Sequence, residues 1–590
     1  MSHRPPAKSP RPAIAASPSG RAGSLGEASQ PAPPQARSSL EDAIARLTPP
    51  PAKPWLRRVI GALRAQDETA LALAARSLAQ ARPDLGVAWY VLAVANERAG
   101  DFAGSLEAYR RALTLLPEEA EVANDLGRLA LRMGMRDVAE QLFRRYLDSH
   151  PASIGTISNL ACALRDQGRC ADAIDILKAA IRAHPAEPLL WNTLGTVLVT
   201  RGELAASLTF FDEAVRLGPT LADACYNRGN ARLELGDGDG ALADCERAMA
   251  LAGGEGDRLE MQLARATINL ARGRLEAGWA DYEARLAPLR RNATSFQVEG
   301  PRWAPGSALA GKTLLVVGEQ GLGDEVLFAN LLPDVLTALG PRGKLLLAVE
   351  PRLVALFQRS FPSADVVPHV TFRQNGRNFR AVPAAADLAQ ADLWTPLASL
   401  LRRFRRRLGD FPTAGAFLTP DPRRMADWRG ALARAPAGRK VGLLWKSMKL
   451  EADRARYYAP FELWAPVLRT PGVTFVNLQY GDCAAELAWA ARELGAHVWT
   501  PPGIDLRNDL DDIAALATCL DLTLGIANAT SNIAAACGAA TWIISVPGAW
   551  TRLGEADRMA WYPQARIFLP PGFGRWEAAM SEIAAALAAS

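Results

Sequence analysis

The chain has 590 residues, 49% hydrophobic and 22% charged. These are globular proportions that exclude collagen-like, disulfide-miniprotein and wholly disordered classes and suggest about three or four domains. Net charge is +5, but residues 1–38 hold five basic side chains (Arg4, Lys8, Arg11, Arg21, Arg37) against one acid, Glu27. The rest is nearly neutral and lacks the basic face that nucleic acid as a main partner requires.

Seven cysteines form no Cys-x-x-Cys pair, and five histidines form no ligand-like cluster. Reduced thiols in a cytoplasmic protein are expected, with no metal site. No apolar run reaches the ~18 residues of a membrane span, and the first residues lack the apolar core of a secretory signal.

Residues 1–38, rich in Pro, Ala, Ser and Gly without periodicity, read as a disordered basic tail. Helical order is expected to start with Ser39 as a cap and Asp42 three residues on. Residues 39–85 then read as a helical lead-in and a degenerate repeat. From 86 to 288 the chain repeats every 34 residues: Pro83, Pro117, Pro151, Pro185 and Pro219 keep that spacing. So do Gly100, Gly134, Gly168, Gly202 and Gly236, and the large residues Tyr109, Phe143, Leu177 and Phe211 with Cys245. This is the tetratricopeptide period, in which paired helices stack into a solenoid. Asp125, Asn159, Thr193 and Asn227 recur at one position of the first helix of each pair. They read either as a polar ladder lining a groove for a protein substrate or as ordinary groove polarity.

After a linker at 289–312 the period changes. Apolar runs at 313–317, 345–349, 441–445, 473–478, 522–526 and 542–546 alternate with helical stretches. That pattern predicts parallel α/β sheets in two doubly wound lobes, 313–425 and 426–590. An arginine run (Arg402, Arg403, Arg405, Arg406, Arg407) near the join reads as a solvated helix face, with contact to an acidic substrate the alternative.

Chemistry concentrates at strand ends. Gly318-Glu319-Gln320-Gly321-Leu322-Gly323-Asp324-Glu325 follows a strand and opens a helix. Gly321 and Gly323 let a ligand approach the backbone, and Asp324 is either a general base or a helix cap. Asn528, Thr530, Ser531 and Asn532 crowd a second helix start behind a buried strand, as an anion site or as a cap with packing. Lys446 ends a third strand, placed either to meet a phosphate or to lie in solvent, with Arg454 and Arg456 in the loop beyond.

The chain from about residue 86 resembles tetratricopeptide-repeat proteins fused to a GT-B glycosyltransferase module. The resemblance rests on Gly273…Gly278-Trp279…Tyr282-Glu283-Ala284-Arg285 and on Gly318–Asp324, and the C-terminal module is similar to heptosyltransferases of the ADP-heptose family. The stretches Asn528–Asn532, Trp550–Gly554 and Trp561-Tyr562-Pro563 resemble bacterial flagellin glycosyltransferases. The resemblance implies two Rossmann-like lobes, with the acceptor on the N-terminal one and the nucleotide sugar on the C-terminal one. It implies repeats that bind flagellin, and transfer of a nonulosonic acid of the pseudaminic type from its CMP-sugar to Ser or Thr without a metal. Asp324 would be the base, and Lys446 and the Asn528–Asn532 turn would meet the donor. The alternatives are a non-catalytic adapter or export chaperone for flagellin, and a glycan transferase using another nucleotide sugar.

Overall fold

The computed structural model describes residues 44–46, 56–65, 67–290, 293–374, 377–383, 391–413, 415–447 and 456–590. The tail at 1–38, the Ser39 cap with Asp42, and Arg454 lie outside the described residues.

Helices Arg57–Ala65 and Glu68–Ala81 precede the regular pairs. Five pairs then follow at the 34-residue spacing, from Gly86–Arg98 with Phe102–Leu115 to Ala222–Glu234 with Gly238–Leu251. A sixth pair, Glu255–Ala271 with Leu275–Tyr282, closes the series. Gly100, Gly134, Gly168, Gly202, Gly236 and Gly273 take φ between +72° and +95° in the turn of each pair, a backbone that L side chains avoid. Tyr109, Phe143, Leu177, Phe211 and Cys245 are fully or almost fully buried on the second helices. Trp89 and Trp191 each donate the indole N–H to the carbonyl of the proline six residues back, Pro83 and Pro185, at 2.9 and 2.8 Å. The proline thus anchors the next helix as well as ending the last.

Three sheets follow. Strands β1 (Thr294–Gln297), β5 (Val370–Gln374) and β6 (Arg377–Ala381) form a small mixed sheet in the order β1-β6-β5. Strands β2 (Thr313–Val317), β3 (Lys344–Val349), β4 (Ala364–Pro368) and β7 (Leu393–Pro396) form a parallel sheet in the order β4-β3-β2-β7. Strands β8 (Arg439–Leu444), β9 (Val473–Asn477), β10 (Leu522–Ile526), β11 (Thr541–Ile544), β12 (Arg558–Met559) and β13 (Tyr562–Phe568) form the third, in the order β12-β13-β11-β10-β8-β9, antiparallel only at β12. The small mixed sheet is absent from the sequence reading because its strands, TSFQ, VTFRQ and RNFRA, are short and polar and bury little.

One hydrophobic cluster joins solenoid and sheets. Trp279 and Tyr282 from the last repeat pack edge-on or tilted against Trp550, and Trp279 also meets Trp561. Phe328 and Phe411 complete it. The arginine run is a solvated face only in part. The Arg405 guanidinium is buried, donating to the Asn330 side chain and carbonyl at 2.9 and 2.7 Å and pairing with Asp334 at 2.7 Å. Its own carbonyl accepts the Trp279 indole N–H at 2.7 Å. Arg403 donates to the Ser307 carbonyl and Arg406 pairs with Glu276. Burial beside the tryptophan cluster converts the Arg405 charge into a tie between segments, whereas Arg406 and Arg407 are exposed. No described helix is long and apolar enough to cross a membrane.

Candidate functional site at two converging helix starts

In open α/β sheets ligands settle beyond the carboxyl ends of the strands, where successive connections leave in opposite directions. In the six-stranded sheet that point falls between β8 and β10, because β9 lies on one side of β8 and β10, β11 and β13 follow on the other. The flanking residues are Lys446-Ser447 and Ala527-Asn528. In the four-stranded sheet it falls between β2 and β7.

That first crevice is filled. Glu319, two residues beyond β2, accepts the Ala398 N–H beyond β7 at 2.7 Å and two hydrogen bonds from Arg285 at 2.7 and 2.8 Å. Both side chains are about as buried as side chains become, 3% and 2% exposed. Arg285 also donates to the Tyr282 carbonyl, to Ser399 and to Glu283. Burial pushes the Glu283 carboxyl up, but attraction and hydrogen bonds from Arg285, with Ser399 adding another, hold it below its ordinary value. The Gly318–Asp324 and Tyr282–Arg285 motifs are therefore partly a joint: the end of the solenoid is keyed into the first sheet.

The open side of the Gly318–Gly321 loop faces the other sheet. Helix Leu322–Phe328, behind β2, abuts helix Ala529–Ala536, behind β10. Asn532 Nδ2 donates to the Gly323 carbonyl at 2.9 Å, and a Cβ on Gly323 would stand 3.4 Å from the Ala529 nitrogen. A Cβ at Gly323 would thus meet Ala529 at ordinary contact distance. Asp324 Oδ2 accepts the Gly321 N–H at 3.0 Å, so that oxygen caps the helix. Asn528 Oδ1 accepts the Ser531 N–H at 3.1 Å while Ser531 Oγ accepts the Asn528 N–H at 2.9 Å. The first-turn amides of Ala529 and Thr530 take no part in that cap. Asn532 Oδ1 and Asn528 Nδ2 are buried without a hydrogen-bond partner among the described residues. Asn532 is 8% exposed, in a place where buried polar atoms are ordinarily hydrogen-bonded. Two helix N-termini with their positive dipole ends converging suit an anion.

Sequence reasoning missed the support beneath this loop. Gln320 has φ +63°, a strained value for a side-chain-bearing residue. Buried Arg380 of β6 holds it, donating to the Gly318 carbonyl at 2.6 Å and the Gln320 carbonyl at 3.3 Å. Glu325 is buried beneath, taking the Glu350 N–H at 2.8 Å and lying 2.8 Å from His369 Nε2 and 3.5 Å from Arg380. Gly318 is glycine because a Cβ there would strike the Glu325 carboxyl at 2.5 Å. Only that Gly318/Glu325 combination left a trace in the sequence.

Other candidates sit elsewhere. Lys446 lies two residues beyond β8, and its ammonium pairs with Glu486 of helix Ala484–Leu494. Gln479 fixes the strand end by accepting the Trp445 and Lys446 N–H groups at 2.9 Å each. Arg456 faces the solenoid, donating to the Val199 carbonyl at 3.1 Å and pairing with Glu234 at 3.3 Å. The expected groove ladder lies inside the helix packing. Asp125, Asn159, Thr193 and Asn227 are all buried. Asp125 takes the Tyr90 hydroxyl at 2.7 Å and Arg128 at 2.9 Å. Thr193 bonds the Leu189 carbonyl and Asn227 bonds Asn192. Glycines two residues on, Gly127 and Gly195, let Phe143 and Phe211 of the paired helix pack close to this face. Among the described residues no group of three or more His, Cys, Asp or Glu could hold a metal.

Solenoid and site together define a tetratricopeptide-repeat protein with appended α/β sheets, and the tetratricopeptide repeat family model matches residues 158–222. A thermophilic TPR protein of Thermus thermophilus is similar to this chain at 24% identity, over 30% of this chain and 96% of that one, with a TM-score of 0.28. Tetratricopeptide repeat protein 36 of Bos taurus is 49% identical over 55 residues, 9% of this chain and 29% of that one. Protein FlbA of Caulobacter vibrioides is 49% identical over 532 residues, 90% of this chain and 89% of FlbA. The chain belongs to the FlbA family.

Proposed function

We propose that this chain is a flagellum-related, cytoplasmic protein O-glycosyltransferase of GT-B organisation. In this reading it binds flagellin and transfers a nonulosonic acid from a CMP-sugar to Ser or Thr. The observation that carries the reading is the abutment of the Gly321–Asp324 and Asn528–Asn532 helix starts across two parallel sheets. In this reading the Asp324 carboxylate and the first-turn amides behind β10 serve one site. The donor phosphate would settle on the Ala529 and Thr530 amides, with Asn528 Nδ2 as a further donor. The acceptor hydroxyl would attack the anomeric carbon and give its proton to Asp324. The bond from that carbon to the phosphate oxygen breaks, and CMP leaves with its charge met by the two helix dipoles. Lys446 could assist only by releasing Glu486.

The test separates base from cap. Asp324→Asn keeps an acceptor for the Gly321 N–H and removes the base. Under this reading the purified variant leaves flagellin mass unmodified, or slows transfer by about 10²-fold or more, with unaltered thermal stability. Wild-type rates in Asp324→Asn would end it. The adapter reading is favoured by one observation, the Lys446–Glu486 pair, and predicts that neither Asp324→Asn nor added CMP changes anything.

A further inference from the structure

Strands β10 and β11 run parallel in register, Ile526 beside Ile544, so both release the chain at one end of the sheet. Beyond β10 lies the Asn528–Asn532 turn, and beyond β11 lies the segment that holds Trp550–Gly554. That segment is pinned on both sides. Trp550 lies 6.4 Å from Phe328, ring to ring, on the helix that abuts Ala529–Ala536. The Trp561 indole N–H donates to the Thr551 carbonyl at 2.8 Å. Toward the solenoid, a Cβ on Gly548 would stand 2.9 Å from the Leu233 carbonyl oxygen, and one on Gly273 3.2 Å from that of Leu553.

Arg552 sits in this pinned turn, half-buried, with a charge that the fold does not neutralise. Its guanidinium donates only to main-chain oxygens, from Nη1 to the Glu555 carbonyl at 2.6 Å and from Nη2 to that of Pro547. Nε is buried without a hydrogen-bond partner among the described residues. No carboxylate among the described residues pairs with Arg552, whereas Arg285, Arg405 and Arg456 each have one. Burial, with no acid to oppose it, holds the guanidinium below its ordinary pKa. The next residue, Leu553, has φ +54°, a strained value for a branched side chain. Backbone strain beside an unpaired, partly buried charge costs stability, and such costs concentrate at ligand sites.

We propose that Arg552 receives the carboxylate of the donor sugar and so selects an acidic sugar over a neutral one. A nonulosonic acid bears a carboxylate on its anomeric carbon, so its CMP-sugar presents two neighbouring anions, that carboxylate and the phosphate. The phosphate takes the Ala529 and Thr530 amides, which leaves the carboxylate to a cation. Lys446 is engaged by Glu486 and Arg380 lies against Glu325. Arg552 offers its Nε–H and the second proton of a neighbouring Nη, a planar pair that matches two carboxylate oxygens. A neutral sugar has no group for that fork. The inference rests on the donor being a CMP-nonulosonic acid, as proposed above.

Calorimetric titration of the full chain with CMP and with CMP-pseudaminic acid tests it, in the wild type, Arg552→Gln and Arg552→Lys. CMP carries the phosphate without the carboxylate, so it reports whether a variant keeps the rest of the site. The wild type should bind CMP-pseudaminic acid more tightly than CMP. Each variant should lose about tenfold in affinity for CMP-pseudaminic acid, about 1.4 kcal/mol, and less than about twofold for CMP. Lysine keeps the charge and can still bond the loop carbonyls, which covers the case of a glutamine variant that does not fold. Equal losses for both ligands assign Arg552 to the phosphate or to the loop and overturn the proposal. Unchanged affinity for CMP-pseudaminic acid overturns it too, and in both cases the glycosyltransferase reading stands. A wild type that binds neither nucleotide overturns both.

Discussion

Arg285→Met tests whether the solenoid is keyed into the first sheet by charge. The arginine makes two hydrogen bonds to Glu319 and further ones to Glu283, Ser399 and the Tyr282 carbonyl, from a side chain 2% exposed. Methionine fills most of the volume but strands the Glu319 carboxylate, which keeps only the Ala398 N–H. Breaking a buried pair by deleting one partner costs about 3–5 kcal/mol. The remaining Ala398 bond places the expectation at the lower end, about 3 kcal/mol. Removing both charges in Arg285→Met/Glu319→Leu should recover about half of that loss. The double variant still forfeits the Ala398 bond, worth about 1 kcal/mol. Urea unfolding followed by tryptophan emission is the assay, since Trp279, Trp550 and Trp561 pack together at this junction. A single-variant loss below about 1 kcal/mol, or a double variant no more stable than the single, refutes the argument.

Burial, with the nearby Asp257 adding to it, pushes the Asp223 carboxyl from 3.8 up to about 6. Its proton is held more tightly folded than unfolded, so its stabilising contribution is full below about pH 4 and lost as pH rises through about 6. Asp223→Asn should therefore be more stable than wild type at pH 8, by about 1–2 kcal/mol after allowing for partial exposure. The two should converge near pH 4, and thermal melts across that range would show a constant difference if the reasoning fails. Gly168→Ala should cost about 1 kcal/mol from backbone strain alone, since φ is +81° and a Cβ there meets open space. Gly195→Ala should cost about 1–3 kcal/mol by a different route, its Cβ falling 2.5 Å from the Phe211 ring. Denaturant midpoints of the two variants check this, and restoration of Gly195→Ala but not Gly168→Ala by Phe211→Leu distinguishes strain from crowding.

Much of the architecture was legible because it is periodic or local. A turn at left-handed φ demands glycine every 34 residues, and a buried parallel strand demands an apolar run, so solenoid and main strands announce themselves. The two helix starts were legible for the same reason: glycines and small polar residues at a strand-to-helix turn have a local cause. Contacts between distant segments left no such mark. That Asn532 would bond Gly323, that Glu325 would sit on His369 and Arg380, and that Lys446 would turn to Glu486 depend on which surfaces meet. The polar ladder failed for this reason too: one position in each repeat fixes a helix face, but neighbouring helices decide whether that face meets solvent. The arginine run reads as charge in sequence, and only the tryptophan cluster closing over Arg405 makes it a tie between segments. Spacing along the chain determines which elements form; long-range packing decides which of their polar groups remain available to a ligand.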